Sequence, residues 1–96
     1  MSDFWQQKED QTLTVGLSET AQERFGTIKF VDLPLVGTQL TKGEPFMSVE
    51  AEKVVLDLES PVDGTIVAVN EAASDDPALL NATDMHQNWI ATINLA

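Results

Sequence analysis

Apolar and polar positions alternate over several short stretches of the chain, and this pattern predicts strands. The clearest stretches are residues 12–17, 65–69 and 89–95. In the last of these Ile90 breaks the alternation, and the residues expected on one face are Trp89, Ala91, Ile93 and Leu95. Short apolar runs at residues 46–49 and 54–58 flank a polar segment, as in a β-hairpin. The chain is therefore expected to be mainly β.

Helix signals are few. Ser18 is placed to cap a short helix that runs through Arg24, and Gly26 is placed to end it. Pro77 can begin a single helical turn over residues 78–81. We therefore expect one or two short helices.

The first residues are polar apart from Phe4 and Trp5. We expect Trp5 to anchor an edge strand over the core and residues 1–11 to form a partly frayed N-terminal segment. No linker or repeat indicates a second domain, so residues 1–96 are expected to form one domain.

The predicted hairpin presents Lys53 at its tip. Ser60-Pro61 and Asp63-Gly64 supply turn residues that end its second strand near Glu59. Lysine and arginine are scarce, with 5 against 16 aspartates and glutamates. An enzyme that recognised the acidic turn, including Glu50 and Glu52, could acylate this lysine. The alternative is a solvated lysine in surface ion pairs worth roughly 0–1 kcal/mol each.

The composition excludes several classes of function. A formal net charge of −11 disfavours binding to nucleic acid or to an anionic membrane surface. Cysteine is absent, so disulfides and thiolate metal sites are excluded. No apolar run approaches the roughly 20 residues that span a bilayer, and the first residues lack the basic start of a signal peptide. A cytoplasmic protein is expected.

Other candidate chemistry is weak. His86, with Asp75, Asp76 and Asp84, could form a site for a hard metal ion, but loop aspartates usually cap turns and no EF-hand spacing occurs. The serines lack a motif that pairs them with a base, and there is no glycine-rich phosphate loop. We expect no metal site and no catalytic centre, hence a protein that is not an enzyme.

Segments spread over residues 14–93 resemble the glycine-cleavage H proteins and, more closely, their short H-like relatives. The matching segments are Thr14-Val15-Gly16-Leu17, Ala21-Gln22, Phe25-Gly26-Thr27-Ile28, Phe30-Val31-Asp32-Leu33-Pro34, Val36-Gly37-Thr38, Lys42-Gly43-Glu44-Pro45-Phe46, Val49-Glu50-Ala51-Glu52-Lys53, Ser60-Pro61-Val62-Asp63-Gly64, Val69-Asn70-Glu71-Ala72, Pro77-Ala78-Leu79-Leu80-Asn81 and Trp89. The resemblance implies a flattened, quasi-symmetric β barrel or sandwich, the barrel-sandwich hybrid of lipoyl domains. It also implies a lipoyl group in amide linkage on Lys53.

The implied mechanism is a swinging arm that a lipoate-protein ligase or lipoyl transferase attaches. In glycine cleavage, a decarboxylase loads an aminomethyl group onto the arm, an aminomethyltransferase passes its carbon to tetrahydrofolate, and dihydrolipoyl dehydrogenase reoxidises the dithiol. The carrier supplies position, and the lipoyl group supplies the chemistry.

Three departures favour the short H-like proteins over this role. The sequence ends at Ala96, just after the last predicted strand, whereas full-length H proteins continue into a C-terminal helical segment. Residues 54–57 are bulkier than the small-residue run typical of glycine-cleavage H proteins. Glu52 adds an acid beside the lysine. In some bacteria the H-like proteins are associated with a lipoate ligase, an ADP-ribosylating sirtuin and a macrodomain hydrolase in oxidative stress. We therefore expect this stress-linked carrier, with Glu23 as the ADP-ribose acceptor and glycine cleavage as the alternative.

Further alternatives belong to other classes. An unmodified acidic interaction module would bind a partner without any arm. A biotinyl carrier would have methionine where Glu52 precedes the lysine. An acyl carrier is disfavoured because the chain is mainly β and lacks the Asp-Ser-Leu attachment signature.

Overall fold

Two antiparallel sheets make up the framework of the protein. A computed structural model describes residues 3–96, and Met1 and Ser2 lie outside this range. One sheet has the strand order β1-β2-β8-β7-β4, and the other has the order β3-β5-β6. The strands are β1 (Phe4–Glu9), β2 (Thr12–Leu17), β3 (Ile28–Asp32), β4 (Gln39–Leu40), β5 (Pro45–Ala51), β6 (Val55–Glu59), β7 (Gly64–Val69) and β8 (Trp89–Leu95). The helices are α1 (Glu19–Phe25), α2 (Glu71–Asp75) and α3 (Met85–Asn88), with a 3₁₀ turn at Pro77–Asn81.

The core contains aliphatic side chains from both sheets and the ring of Phe25. Its largest fully buried residues are Val15, Leu17, Phe25, Val49, Leu58, Ile66, Leu80, Ile90 and Ile93. Removing this apolar surface from water is the main driving force for the two-layer arrangement. The expected mainly β sandwich is confirmed, and residues 3–96 contain three short helices instead of one or two.

The N-terminal segment is more regular than expected. β1 pairs with β2 from Phe4 opposite Leu17 to Glu9 opposite Thr12, so most of residues 1–11 form a paired strand. The expected fraying before Phe4 falls partly on Met1 and Ser2, which lie outside the described residues. The expectation that Trp5 covers the core is wrong. Phe4 is the buried residue, because neighbouring side chains in a strand point to opposite faces, and Trp5 is half-buried.

The α1 boundaries agree with the sequence signals. The Oγ of Ser18 accepts a hydrogen bond of 3.1 Å from the Ala21 N–H and caps the helix, and Gly26 ends it with a φ of 75°.

The polar segment between β7 and β8 is more structured than the single turn predicted. It forms α2, the 3₁₀ turn and α3. Among residues 3–96, none of the helices is both long and apolar enough to span a bilayer.

Ile90 breaks the alternation of β8 because it is the extra residue of a bulge. Val15 pairs with Ala91 and Gly16 pairs with Trp89, so Ile90 has no opposite residue in β2. Ile90 and Ala91 are both fully buried although they are adjacent. The bulge therefore adds a core side chain at the start of the strand.

Candidate functional site

Lys53 lies at the tip of the hairpin formed by β5 and β6, as the sequence predicts. β5 ends at Ala51 and β6 begins at Val55. The Ala51 N–H donates a hydrogen bond of 2.8 Å to the Val54 carbonyl and closes the turn. Lys53 itself is exposed. A primary amine is thus presented to solvent at the end of a short, closed turn.

The tip is also bonded to the chain around the end of α1. The Glu52 N–H donates to the Thr27 carbonyl at 2.8 Å, and the Lys53 N–H donates to the Phe25 carbonyl at 3.0 Å. The closest approach is at Gly26, where an added Cβ would lie 2.8 Å from Oε1 of Glu52. The backbone that carries Lys53 is therefore held in place from outside the hairpin as well as from within it.

Asn81, in the 3₁₀ turn, makes two hydrogen bonds to the stretch of main chain that contacts the hairpin tip. Its Nδ2 donates to the Gly26 carbonyl at 2.9 Å, and its Oδ1 accepts from the Ile28 N–H at 2.7 Å. Nε2 of Gln22 in α1 donates to the Leu80 and Ala82 carbonyls, each at 2.8 Å. Side-chain amides thus join α1, the 3₁₀ turn and the start of β3 into one support for the tip.

The sequence interpretation assigned no role to Gln22 or Asn81. Both bond to main-chain groups more than 50 positions away, and such contacts leave no periodicity. The available signal was that both lie in segments matched to the H-protein family, at polar positions that neither a cap nor a turn required.

The main chain of Glu23, the residue expected to accept ADP-ribose, lies beside the Lys53 amine. The Lys53 Nζ is 3.4 Å from the backbone carbonyl oxygen of Glu23, a long hydrogen bond across 30 positions. Both residues are exposed. α1 therefore brings the main chain of Glu23 next to the Lys53 amine.

Glu50 and Glu52, predicted to mark the hairpin for recognition, are both exposed. Glu50 lies on the outer face of the three-stranded sheet, between Phe30 on β3 and Val55 on β6. Within residues 3–96 the ion pairs are Arg24–Asp3 and His86–Asp84, so neither glutamate is paired with a cation there. Lys53 likewise has no ion pair in that part of the chain, which does not support the surface-ion-pair alternative.

Two of the residues considered for a metal site, Asp84 and His86, have another structural role. Asp84 caps α3 by accepting a hydrogen bond of 2.9 Å from the His86 N–H, and the His86 Nδ1 lies 3.2 Å from the same oxygen. The backbone hydrogen bond holds the pKa of Asp84 below its usual value, desolvation opposes this, and the imidazole adds to it. Over residues 3–96, acidic and histidine side chains form no group of three that could hold a metal ion.

Comparisons with known proteins agree on one family. The family model described as Glycine cleavage H-protein matches residues 1–96. The glycine cleavage system H protein of Cronobacter sakazakii is 48% identical over 90 residues, which are 93% of this chain and 70% of that protein. The one from Anoxybacillus flavithermus is 43% identical over 89 residues, again 93% of this chain and 70% of the relative.

A solved structure shows the same arrangement of the chain. The glycine cleavage system H protein of Mycobacterium marinum matches with a TM-score of 0.85 and 37% sequence identity. The match covers 94% of this chain and 71% of that one.

Proposed function

Because the chain belongs to the glycine cleavage H-protein family, we propose that it is the lipoyl carrier of glycine cleavage and that Lys53 is the attachment residue. Members of the family are non-catalytic carriers with lipoate bound covalently to a lysine. The observation that carries the proposal is an exposed lysine on a hairpin tip whose backbone is bonded to α1.

The residues around Lys53 fit an amide-linked lipoyl group. Lys53 is exposed, and its amine makes a long hydrogen bond of 3.4 Å to the backbone carbonyl of Glu23. Once attached, the group supplies a dithiolane that can carry an aminomethyl unit. The bonds to Phe25 and Thr27 hold the base of the arm, so partners meet the arm at a fixed point of the protein.

The similarity favours glycine cleavage over the stress-linked system that the sequence departures indicated. The named relatives are glycine cleavage system H proteins. The partners in this proposal are a lipoate-protein ligase or lipoyl transferase, the decarboxylase, the aminomethyltransferase and dihydrolipoyl dehydrogenase. A cytoplasmic location is part of the same proposal.

The test is lipoylation followed by reconstitution. The parent chain should gain the mass of one lipoyl group when incubated with lipoate-protein ligase, ATP and lipoate, and fragmentation should place it on Lys53. Lys53→Arg should stay bare, while Lys42→Arg, at another exposed lysine, should be loaded normally. The loaded chain should then support glycine decarboxylation and exchange with the partner enzymes. A parent chain that stays bare would instead indicate the unmodified interaction module.

A second candidate function is regulation by ADP-ribose on Glu23, with a sirtuin that adds the group and a macrodomain hydrolase that removes it. The observation in its favour is the hydrogen bond of 3.4 Å from the Lys53 Nζ to the backbone carbonyl of Glu23, which places this exposed residue of α1 beside the arm. A lipoylated chain incubated with NAD and an ADP-ribosylating sirtuin should gain ADP-ribose on the Glu23 peptide. Glu23→Gln should block this gain, and Glu19→Gln in the same helix should not. Unchanged modification of Glu23→Gln would overturn this candidate.

A further inference from the structure

Two apolar side chains flank Glu50 on the outer face of the three-stranded sheet. Phe30 on β3 is opposite Glu50, and Val55 on β6 is opposite Glu50 from the other side. Directly opposed residues point to the same face of a sheet. Phe30 is 59% exposed and Val55 is 75% exposed. The row Phe30–Glu50–Val55 thus places two solvent-exposed apolar groups just below the Lys53 tip.

Carboxylates lie between the two apolar residues and in the rows further from the tip. The next row of the same face has Asp32 and Asp57 on either side of Ser48, and Glu59 lies further along β6. These three acids and Glu50 are exposed, and none takes part in the ion pairs described for residues 3–96. A complementary partner surface has an apolar contact bordered by lysine or arginine side chains.

We propose that this face, with the row Phe30–Glu50–Val55 at its centre, is the docking surface for the enzyme that acylates Lys53. The proposal rests on the proposed function. An enzyme that acylates the bare amine must approach the hairpin to within the length of one lysine side chain, and the row Phe30–Glu50–Val55, the first outside the turn, lies within reach of its surface. Partners that use the loaded lipoyl arm meet it at the end of a long tether and do not need this contact.

Val55 is the residue of this face that we expect to favour binding of the acylating enzyme over other partners. It lies two positions after Lys53 and is the first residue of β6. At 75% exposure its side chain contributes little to the core. A partner that covers it gains apolar burial, which gives the residue a role in selecting the acylating enzyme.

The test is a steady-state analysis of lipoylation with the full chain as acceptor, lipoate-protein ligase, ATP and lipoate. Phe30→Ser should raise the KM for the acceptor about tenfold and Val55→Thr about threefold, with kcat changed by less than about twofold. Val67→Thr is the matched control, since Val67 is 47% exposed in β7 of the other sheet. It should behave as the parent chain does.

Salt dependence gives a second readout. The KM of the parent should rise with ionic strength, and Asp57→Asn should weaken that rise. Equal KM values for the parent, Phe30→Ser and Val55→Thr would overturn the docking surface while leaving Lys53 as the attachment residue. A parent chain that no ligase loads would overturn the proposed function and the docking surface together.

Discussion

Gly26 and Glu52 approach each other so closely that a Cβ on Gly26 would lie 2.8 Å from Oε1 and 3.2 Å from Cβ of Glu52. Gly26 also has φ 75° and ψ −155°, a backbone conformation that is essentially restricted to glycine. The absence of a side chain at this position lets the end of α1 lie against the residue before Lys53.

Gly26→Ala should lower the free energy of unfolding by about 1–3 kcal/mol because of backbone strain alone, and it should also displace the hairpin tip. Urea unfolding measures the first effect, and the rate of Lys53 lipoylation measures the second. Gly43→Ala is the control, since Gly43 has φ 87° but no atom within 4 Å of an added Cβ. A normal lipoylation rate in Gly26→Ala would show that the close approach does not position the lysine.

Asn81→Ala should remove both hydrogen bonds that brace the start of β3. Because the Gly26 carbonyl and Ile28 N–H lose their partner, we expect a loss of about 2 kcal/mol in unfolding free energy. Hydrogen exchange at the Ile28 amide should accelerate more than global unfolding explains. Asn94→Ala, an exposed position on β8, should change neither measurement. Unchanged exchange at Ile28 in Asn81→Ala would contradict the bracing role.

Trp5→Phe should lower the free energy of unfolding because it removes the hydrogen-bond donor to the Asn88 side chain. The indole Nε1 donates a hydrogen bond of 2.7 Å to Oδ1 of Asn88, which is buried at 4% exposure. Leaving that oxygen without its donor costs about 1–3 kcal/mol. Trp89→Phe removes the same ring atoms from a half-buried tryptophan and should cost less. Chemical denaturation of the two variants compares them directly, and equal losses would rule out the hydrogen bond as the cause.

Asp84 should contribute to the pH dependence of stability in acid. Its folded pKa lies below the ordinary value of 3.8, chiefly because it accepts the His86 N–H. This contribution is therefore complete above pH 3.8 and is lost as the pH falls through the lowered folded value. NMR titration of the carboxyl carbon should show the low pKa and should still show it in His86→Ala, which keeps the backbone donor. A return to the ordinary pKa in His86→Ala would assign the effect to the imidazole.

The sequence predicted the parts of the site that depend on neighbouring residues. The hairpin, the position of Lys53 at its tip and the Ser18 cap all follow from short patterns of apolar and turn residues. The support behind the tip could not be predicted this way, because Gln22 and Asn81 act through hydrogen bonds across the fold. The side chain of Asn70 likewise holds the polar segment before β8 by donating to the carbonyls of Gln87 and Trp89.

Strand faces were predictable where pairing is regular and not where it is interrupted. Leu13, Val15 and Leu17 alternate in sequence and are all buried. Phe30 lies in β3 but is 59% exposed, next to a register shift in the pairing of β3 with β5. A bulge changes which side chains point inward, and the sequence of one strand does not report the register of its neighbour.

The ammonium group of Lys53 lies in a strongly acidic part of an acidic protein, with Glu50 and Glu52 exposed nearby. Forming an amide at Nζ would neutralise that group, so the formal net charge of −11 would become more negative by one. Loaded and unloaded carriers would then differ in electrophoretic mobility and in the local potential at the tip. A partner could thus distinguish the charged from the neutral form of the carrier before it engages the dithiolane.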